Sequence, residues 1–169
     1  WKHPEGPSST IEGRMQHPVV QVSYDDALAY CEWAKKRLPT EAEWEFASKG
    51  GESGQRYAWG PEFTSQGKHM ANTFQGVFPG NNTGEDGFSG AAPVKSFEPN
   101  GYGLFDMIGN AWEWTSDYYD TKYYAEQMQA GISVNPAGCE VSFDPTDPYA
   151  KKRVTKGGSF LCAQNYCVN

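Results

Sequence analysis

The chain has 169 residues, of which 14 are basic and 21 acidic, and its formal net charge is −7. We expect one domain over residues 1–169, incomplete at both ends, because Trp1 and Asn169 are atypical of natural termini. The acidic balance argues against nucleic acid as a partner, since phosphate neutralisation dominates such binding. No apolar run approaches the length that spans a bilayer, so we expect no membrane association. We also expect a monomer.

Two helices are predicted in the first third of the chain, after a short apolar strand at 19-VVQV-22. The first covers 23-SYDDALAYCEWAKKR-37, with Ser23 as its N-cap. Four residues at helical spacing form its apolar face: Ala27, Tyr30, Cys31 and Ala34. We therefore expect the sulfur of Cys31 to be buried.

The second helix is predicted over 40-TEAEWEFASKGG-51. Thr40 and Glu43 have the spacing of a capping box, in which each side chain accepts from the backbone of the other. Gly50 and Gly51 are typical of a helix end.

The middle of the chain, from about residue 52 to 155, shows little sustained periodicity. Its short apolar segments are separated by Gly, Pro and Asn, and the whole chain is 15% aromatic with 19 Gly and 11 Pro. This composition predicts a loop-rich fold held by large side chains. So long an irregular stretch is improbable in a compact domain unless something orders it, and bound cations would do so.

Two segments carry oxygen ligands suited to a hard cation such as Ca²⁺. The first is 72-NTFQGVFPGNNTGEDGF-88, and the second is 106-DMIGNAWEW-114, in which backbone carbonyls could add to two carboxylates. The alternative is polar loops whose Asn and Asp side chains cap turns. In the second segment Trp112 and Trp114 face opposite ways if the chain is extended, so one could pack in the core while the other lines a cavity. Core packing is the simpler of these readings.

Cys162 and Cys167 lie five positions apart in 156-KGGSFLCAQNYCVN-169. Neither a helix nor a strand lets their sulfurs meet, whereas a turn through residues 163–166 could. Three readings stay open: a structural disulfide, a zinc half-site, or a redox or soft-metal site suited to Cu(I). The zinc reading is the weakest, because the three histidines are scattered singly.

Five segments in this order resemble formylglycine-generating enzyme, the sulfatase-modifying oxidase. They are HPEGPSSTI, HPVVQVSYDDALAYCEWAKKRLPTEAEWEFA, ANTFQGVFPGNNTGEDGF, APVKSFEPNGYGLFDMIGNAWEWTSD and KGGSFLCAQNYC. The resemblance spans nearly the whole chain except about 120–150. It implies a single α+β domain related to C-type lectins, with two main helices and little other regular structure.

The implied activity is oxidation of one cysteine, within a C-x-P-x-R segment of an unfolded or nascent sulfatase, to Cα-formylglycine with O₂. By resemblance, Cys162 and Cys167 are the active-site pair, which would bind Cu(I) as two thiolates. Ser159 and Trp112 match family residues beside that pocket. Cys31 would pair with a cysteine beyond residue 169, and Cys139 has no implied role.

The family also binds two calcium ions. On the matched positions, the first site would comprise Asn72, Thr73, Asp86 and Phe88. The second would comprise Asp106, Gly109, Ala111 and Glu113. Asp106 stands where asparagine is common, a change that keeps an oxygen ligand.

Two other function classes remain open beside the oxidase. The same fold serves as a non-catalytic binding module, and some paralogues lack the cysteine pair; the retained cysteines and Ser159 favour the enzyme. An iron-dependent sulfoxide synthase of the wider superfamily would need a histidine cluster, which three scattered histidines do not supply.

Overall fold

The computed structural model describes residues 1–164 and 166–167, and its regular elements are short. In chain order they are α1 (Tyr24–Trp33), α2 (Glu41–Ser48), β1 (Thr64–Ser65), β2 (Lys68–His69), β3 (Gly76–Val77), β4 (Asn81–Asn82), β5 (Glu113–Tyr118), α3 (Tyr123–Ala130) and β6 (Arg153–Lys156). The strands pair as three two-stranded sheets, β1 with β2, β3 with β4, and β5 with β6. The predicted α+β class with little regular structure is confirmed. Within the described residues, no helix is both long and apolar enough to cross a membrane.

The strand predicted over residues 19–22 is wrong. These residues belong to no strand, and Gln21 has a φ of 58°, in the left-handed region that an extended chain does not adopt. The apolar run therefore enters the first helix as an irregular segment.

Helix α1 begins as predicted, because Ser23 and Asp26 form a reciprocal capping box. It ends at Trp33, before the predicted limit, and Lys35 has a φ of 54°. Tyr30, placed on the apolar face, is 65% exposed, and Cys31 is half-buried rather than buried. The prediction of a buried sulfur is wrong because no residue of α1 is fully covered.

Helix α2 has the predicted capping box. The Glu43 amide donates to Thr40 Oγ1 at 3.1 Å, and the Thr40 amide donates to Glu43 Oε2 at 2.9 Å. Asp117, from strand β5, accepts a further bond from the Glu41 amide at 2.8 Å. The start of this helix is thus held both by its own sequence and by a distant carboxylate.

Glu43→Gln is expected to destabilise the protein by about 1 kcal/mol near neutral pH. Arg37 and the Thr40 amide hold the pKa of Glu43 at about 2, and the side chain is 33% exposed, so solvent screening limits the effect. Because the folded-state pKa is depressed, the stabilisation is present above the ordinary pKa of glutamate and lost as pH falls towards 2.

Urea unfolding between pH 6 and pH 2.5 checks this prediction. The two stability curves should converge at low pH, whereas Glu32→Gln, on the exposed side of α1, should follow the unsubstituted protein throughout. Curves for Glu43→Gln that stay parallel to the unsubstituted protein down to pH 2.5 would contradict it.

Helix α3 is absent from the sequence-based prediction. It contains no buried residue, and its N-cap Lys122 makes no side-chain capping bond. Neither apolar periodicity nor a capping motif therefore marks it in the sequence.

The chain forms two compact units. The first comprises residues 1–22, 47–113 and those from 157 onward, and the second comprises residues 23–46 and 114–156. The fully buried residues of the first unit are mostly small or polar: Ser48, Ala71, Asn72, Thr73, Phe74, Gln75, Ala92, Asn110, Ser159, Cys162 and Ala163. Those of the second are Trp44, Thr115, Asp117 and Asp144. The expectation that large side chains hold the fold is therefore only partly met, because polar networks fill much of the first unit.

Candidate active site and oxygen-ligand loops

A turn brings Cys162 and Cys167 together. Their Cα atoms are 5.3 Å apart and their sulfurs form a disulfide. The turn closes through the Tyr166 amide, which donates to the Ala163 carbonyl at 2.9 Å. Cys162 is only 8% exposed, whereas Cys167 is half-buried, so the pair is reached from the Cys167 side. When reduced, two such thiols side by side fit the donor set that Cu(I) prefers.

Ser159 lies against this pair. It is buried, and its Oγ is 3.8 Å from the Cys162 sulfur. Its carbonyl accepts from the Cys162 amide at 2.9 Å, and its Oγ accepts from the Leu161 amide at 3.2 Å. Gly158 has a φ of 74°, and a Cβ there would lie 3.4 Å from the Cys162 sulfur. The Ser159 hydroxyl and Gly158, which has no side chain, therefore flank the Cys162 sulfur.

The arm of the turn that carries Cys162 rests on the buried segment around Phe74. The Phe74 amide donates to the Cys162 carbonyl at 3.0 Å, and Phe74 forms a parallel bridge with Ala163. The Phe160 amide donates to the Asn110 carbonyl at 3.1 Å. The cysteine turn is thus fastened to two segments that are distant in sequence.

Asn110 is a buried hub that the sequence analysis missed. Its amide donates to the Asn72 carbonyl at 2.8 Å, and its side chain bonds both backbone groups of Ala92. Asn72 Nδ2 donates to Asn110 Oδ1 at 3.2 Å. The Gly-Asn pair in residues 106–114 is the signal that could have found it, because Asn110 has a φ of 59°, which Asn tolerates. Asn110 therefore connects the first oxygen loop to the cysteine turn.

Three residues of the first predicted calcium set meet at the Asp86 carboxylate. This carboxylate accepts from the amides of Thr73 and Phe88, each at 2.9 Å. Asn72 is 1% exposed, and its Oδ1 is buried without a hydrogen-bond partner among the described residues. An unsatisfied buried oxygen is costly unless a ligand completes it, so this loop fits a hard cation. The residues that would supply it are Asn72, Thr73, Asp86 and Phe88.

The second predicted set lies in a segment with three left-handed residues, Asp106, Gly109 and Asn110. Asp106 has a φ of 55° and accepts from the Lys95 amide at 2.7 Å. Gly109 has a φ of 77°, and a Cβ there would collide with the Asn72 backbone. Ala111 and Glu113 are half-buried. The close approach to Asn72 explains the glycine, and the role of this set as ligands stays a prediction.

Trp112 lies two residues beyond Asn110 and is 44% exposed, so the core-packing role suggested by the sequence is wrong for it. Trp114 is half-buried and packs its ring edge against Tyr24, with ring centres 5.8 Å apart. The role of Trp112 beside the cysteine pair stays a prediction.

No group of three or more His, Cys, Asp or Glu side chains could hold a metal within residues 1–164 and 166–167. The zinc half-site reading therefore gains no further ligands there. The two predicted calcium sets are unaffected, since the first holds one carboxylate and the second two, the remaining ligands being carbonyl or amide oxygens.

The second unit has a separate ionic cluster. Lys156 contacts Glu45 at 2.5 Å and Glu41 at 3.2 Å, beside the Asp117 carboxylate that caps α2. Burial raises the pKa of Asp117.

Burial, with the nearby Asp120 and Asp117 carboxylates, raises the pKa of Cys139 to about 11, so this thiol is a poor nucleophile at neutral pH.

Comparisons with known proteins agree with the resemblance seen in the sequence. The formylglycine-generating enzyme of Bos taurus is 52% identical over 167 residues, covering 99% of this chain and 41% of that protein. The inactive C-alpha-formylglycine-generating enzyme 2 of Bos taurus is 52% identical over 134 residues, covering 79% of this chain and 44% of that protein. The structure of PvdO from Pseudomonas aeruginosa matches with a TM-score of 0.60 and 26% identity, over 86% of this chain and 51% of that one.

This chain covers between 41% and 54% of the formylglycine-generating enzymes it matches, and so spans about half their length. The family model described as "Sulfatase-modifying factor enzyme 1-like domain" matches residues 1–169. The chain therefore belongs to the sulfatase-modifying factor family.

Proposed function

We propose that this protein is a formylglycine-generating oxidase, which converts a cysteine in a C-x-P-x-R segment of a sulfatase to Cα-formylglycine with O₂ and Cu(I). The observation that carries the proposal is the pairing of Cys162 with Cys167 beside the buried hydroxyl of Ser159. Relatives that bear the name of this activity support it, at about half identity over nearly all of the chain.

Cys162 and Cys167 are the residues that would hold Cu(I), in their reduced, thiolate form. When bound, Cu(I) would supply activation of O₂, the electron acceptor. Cys167 is half-buried, so the substrate would reach the pair from its side. Cys162 is buried and so shielded from bulk water. Ser159 Oγ, 3.8 Å from the Cys162 sulfur, would orient a polar reactant beside that sulfur. Trp112 would wall the pocket.

The net chemistry at the substrate is a two-electron oxidation followed by hydrolysis. The substrate cysteine loses one hydrogen from Cβ and one from sulfur, and the two electrons and two protons pass to O₂, which leaves a thioaldehyde. Water then replaces the sulfur and releases hydrogen sulfide, leaving the aldehyde. The net charge of −7 favours encounter with a segment that carries an arginine.

The first calcium site would serve the fold rather than the reaction. Asn72 lies two residues before Phe74, whose amide bonds the Cys162 arm of the turn, and the Asp86 carboxylate accepts from the Thr73 amide between them. Ca²⁺ there would satisfy the buried Asn72 oxygen and fix that segment. Ca²⁺ held by the second set, from Asp106 to Glu113, would likewise fix the segment that contains Asn110.

The deciding experiment first reduces the cysteine pair with a thiol, then incubates the protein with a C-x-P-x-R peptide in air, with and without Cu(I), and follows the aldehyde by mass spectrometry. We expect aldehyde only with copper and only from the peptide that contains the cysteine; the matched serine peptide is the control. The alternative is a non-catalytic binding protein, which the equally similar inactive relative makes a real competitor. Tight peptide binding without any aldehyde, by a copper-loaded and folded protein, would establish that alternative.

A further inference from the structure

Three aromatic rings form a continuous stack under the cysteine turn. Phe74 is buried and meets Phe78 edge to face, with ring centres 5.2 Å apart. Phe78 lies flat against Tyr166, with centres 4.5 Å apart and an angle of 9° between the planes. The stack therefore runs from the core of the first unit to the surface, where Tyr166 is 55% exposed.

The two ends of this stack hold the two arms of the turn. At the buried end, the Phe74 amide bonds the carbonyl of Cys162. At the exposed end, Phe78 packs on Tyr166, the residue directly before Cys167. One short segment, residues 74–78, thus contacts the backbone of Cys162 and the side chain of the residue before Cys167.

That segment is itself well held. Strand β3, which lies between Phe74 and Phe78, pairs with β4 in the register Gly76 with Asn82. Gly76 has a φ of 106°, and a Cβ there would press on the Asn81 carbonyl. Gly76 has no side chain, so β3 can approach β4 this closely. The pairing with β4 holds residues 76 and 77, and the segment can therefore serve as a fixed support.

Cys167 needs such a support. Its φ is 52°, a conformation that costs energy for any residue with a side chain. Cys162 is held by backbone bonds and burial, whereas Cys167 is half-buried, and the described contacts of its arm are the Ala163–Tyr166 bridge and the Phe78–Tyr166 stack. The stack is therefore the side-chain contact best placed to restrain the Cys167 sulfur near its partner.

We propose that Phe78 is a positioning residue, which through Tyr166 keeps the two cysteine sulfurs within reach of each other. This inference rests on the proposed function for its biological meaning, because two sulfurs held together are what joint ligation of a soft metal requires. Phe78 itself touches neither reactant in this role.

The test measures the thiol–disulfide equilibrium of the cysteine pair, which needs neither copper nor substrate. The full protein is equilibrated with glutathione buffers, alkylated, and digested, and the disulfide fraction is read on the peptide that contains both cysteines. In this exchange the two thiols are oxidised to the disulfide while one glutathione disulfide is reduced to two glutathiones. The equilibrium constant thus reports how closely the reduced protein holds the sulfurs.

We expect Phe78→Leu to lower this constant about twofold to tenfold, the range that an aromatic pair contributes beyond its buried area. Phe78→Tyr keeps the ring and should restore the constant. Tyr57→Leu is the matched control, because it breaks the stacked Tyr57–Trp59 pair in the same unit, with centres 5.4 Å apart. It should leave the equilibrium unchanged.

A folded Phe78→Leu protein with an unchanged constant, or a Tyr57→Leu protein with an equal fall, would overturn the proposal. If Phe78→Leu does not fold, Tyr166→Leu removes the exposed ring of the same pair and must lower the constant. A shifted constant in a protein that never forms aldehyde would refute the proposed function and leave the positioning role standing.

Discussion

Replacing Cys162 or Cys167 by Ser is expected to abolish aldehyde formation and to weaken Cu(I) binding on the order of a hundredfold or more. Changes to groups that merely support a metal ligand cost about 10- to 100-fold in affinity, so loss of a ligand should reach or exceed that range. A hydroxyl is hard and largely protonated at neutral pH, whereas a soft ion needs thiolate sulfur. Either substitution leaves one thiolate, which cannot provide two-sulfur ligation.

The measurements are a Cu(I) competition titration against a chelator and the peptide assay by mass spectrometry. Cys139→Ser is the matched control, because Cys139 lies in the second unit and burial keeps its pKa near 11. It should keep both copper binding and activity. A copper-loaded, folded Cys162→Ser protein that converts the peptide at nearly the original rate would show that the pair is structural and the proposed function wrong.

Asp86→Ala is expected to lower the free energy of unfolding by about 3 kcal/mol. The Asp86 carboxylate accepts from the backbone amides of Thr73 and Phe88, and the alanine leaves both of these donors without their acceptor. Thr73 is buried, so water has little access to its amide. Calcium, if bound there, would add to the loss.

Two measurements separate the stability that comes from the Asp86 hydrogen bonds from the stability that comes from bound calcium. Chemical denaturation gives the change in stability, with Glu85→Ala as the control; its side chain is 65% exposed, so we expect a change of at most about 0.5 kcal/mol. Thermal melting with and without a calcium chelator should then show a smaller shift in Asp86→Ala than in the unsubstituted protein, because only the second predicted site would remain to be emptied. A chelator shift of equal size in both proteins would place calcium elsewhere, and equal stability of both proteins would refute the role of the carboxylate.

Local sequence determined the features that depend on neighbouring residues. The capping boxes of α1 and α2 join groups three residues apart, so their spacing was enough to predict them. A turn between Cys162 and Cys167 followed from the fact that neither a helix nor a strand brings residues five apart together. The family was also recognisable, because whole ordered segments carry it.

Only the tertiary structure decided the contacts between distant segments. Asn72 meets Asn110 across 38 residues, and Asp117 caps α2 across 76, because folding of the irregular middle brings their backbones together. The incomplete burial of Cys31, the irregular chain at 19–22 and the helix α3 likewise depend on what does or does not pack against each segment. The stack of Phe78 on Tyr166 belongs with them, since no local pattern encodes which ring will cover the residue beside Cys167. Short-range hydrogen bonds are selected by residue spacing, whereas these contacts require the loops between them to be closed first.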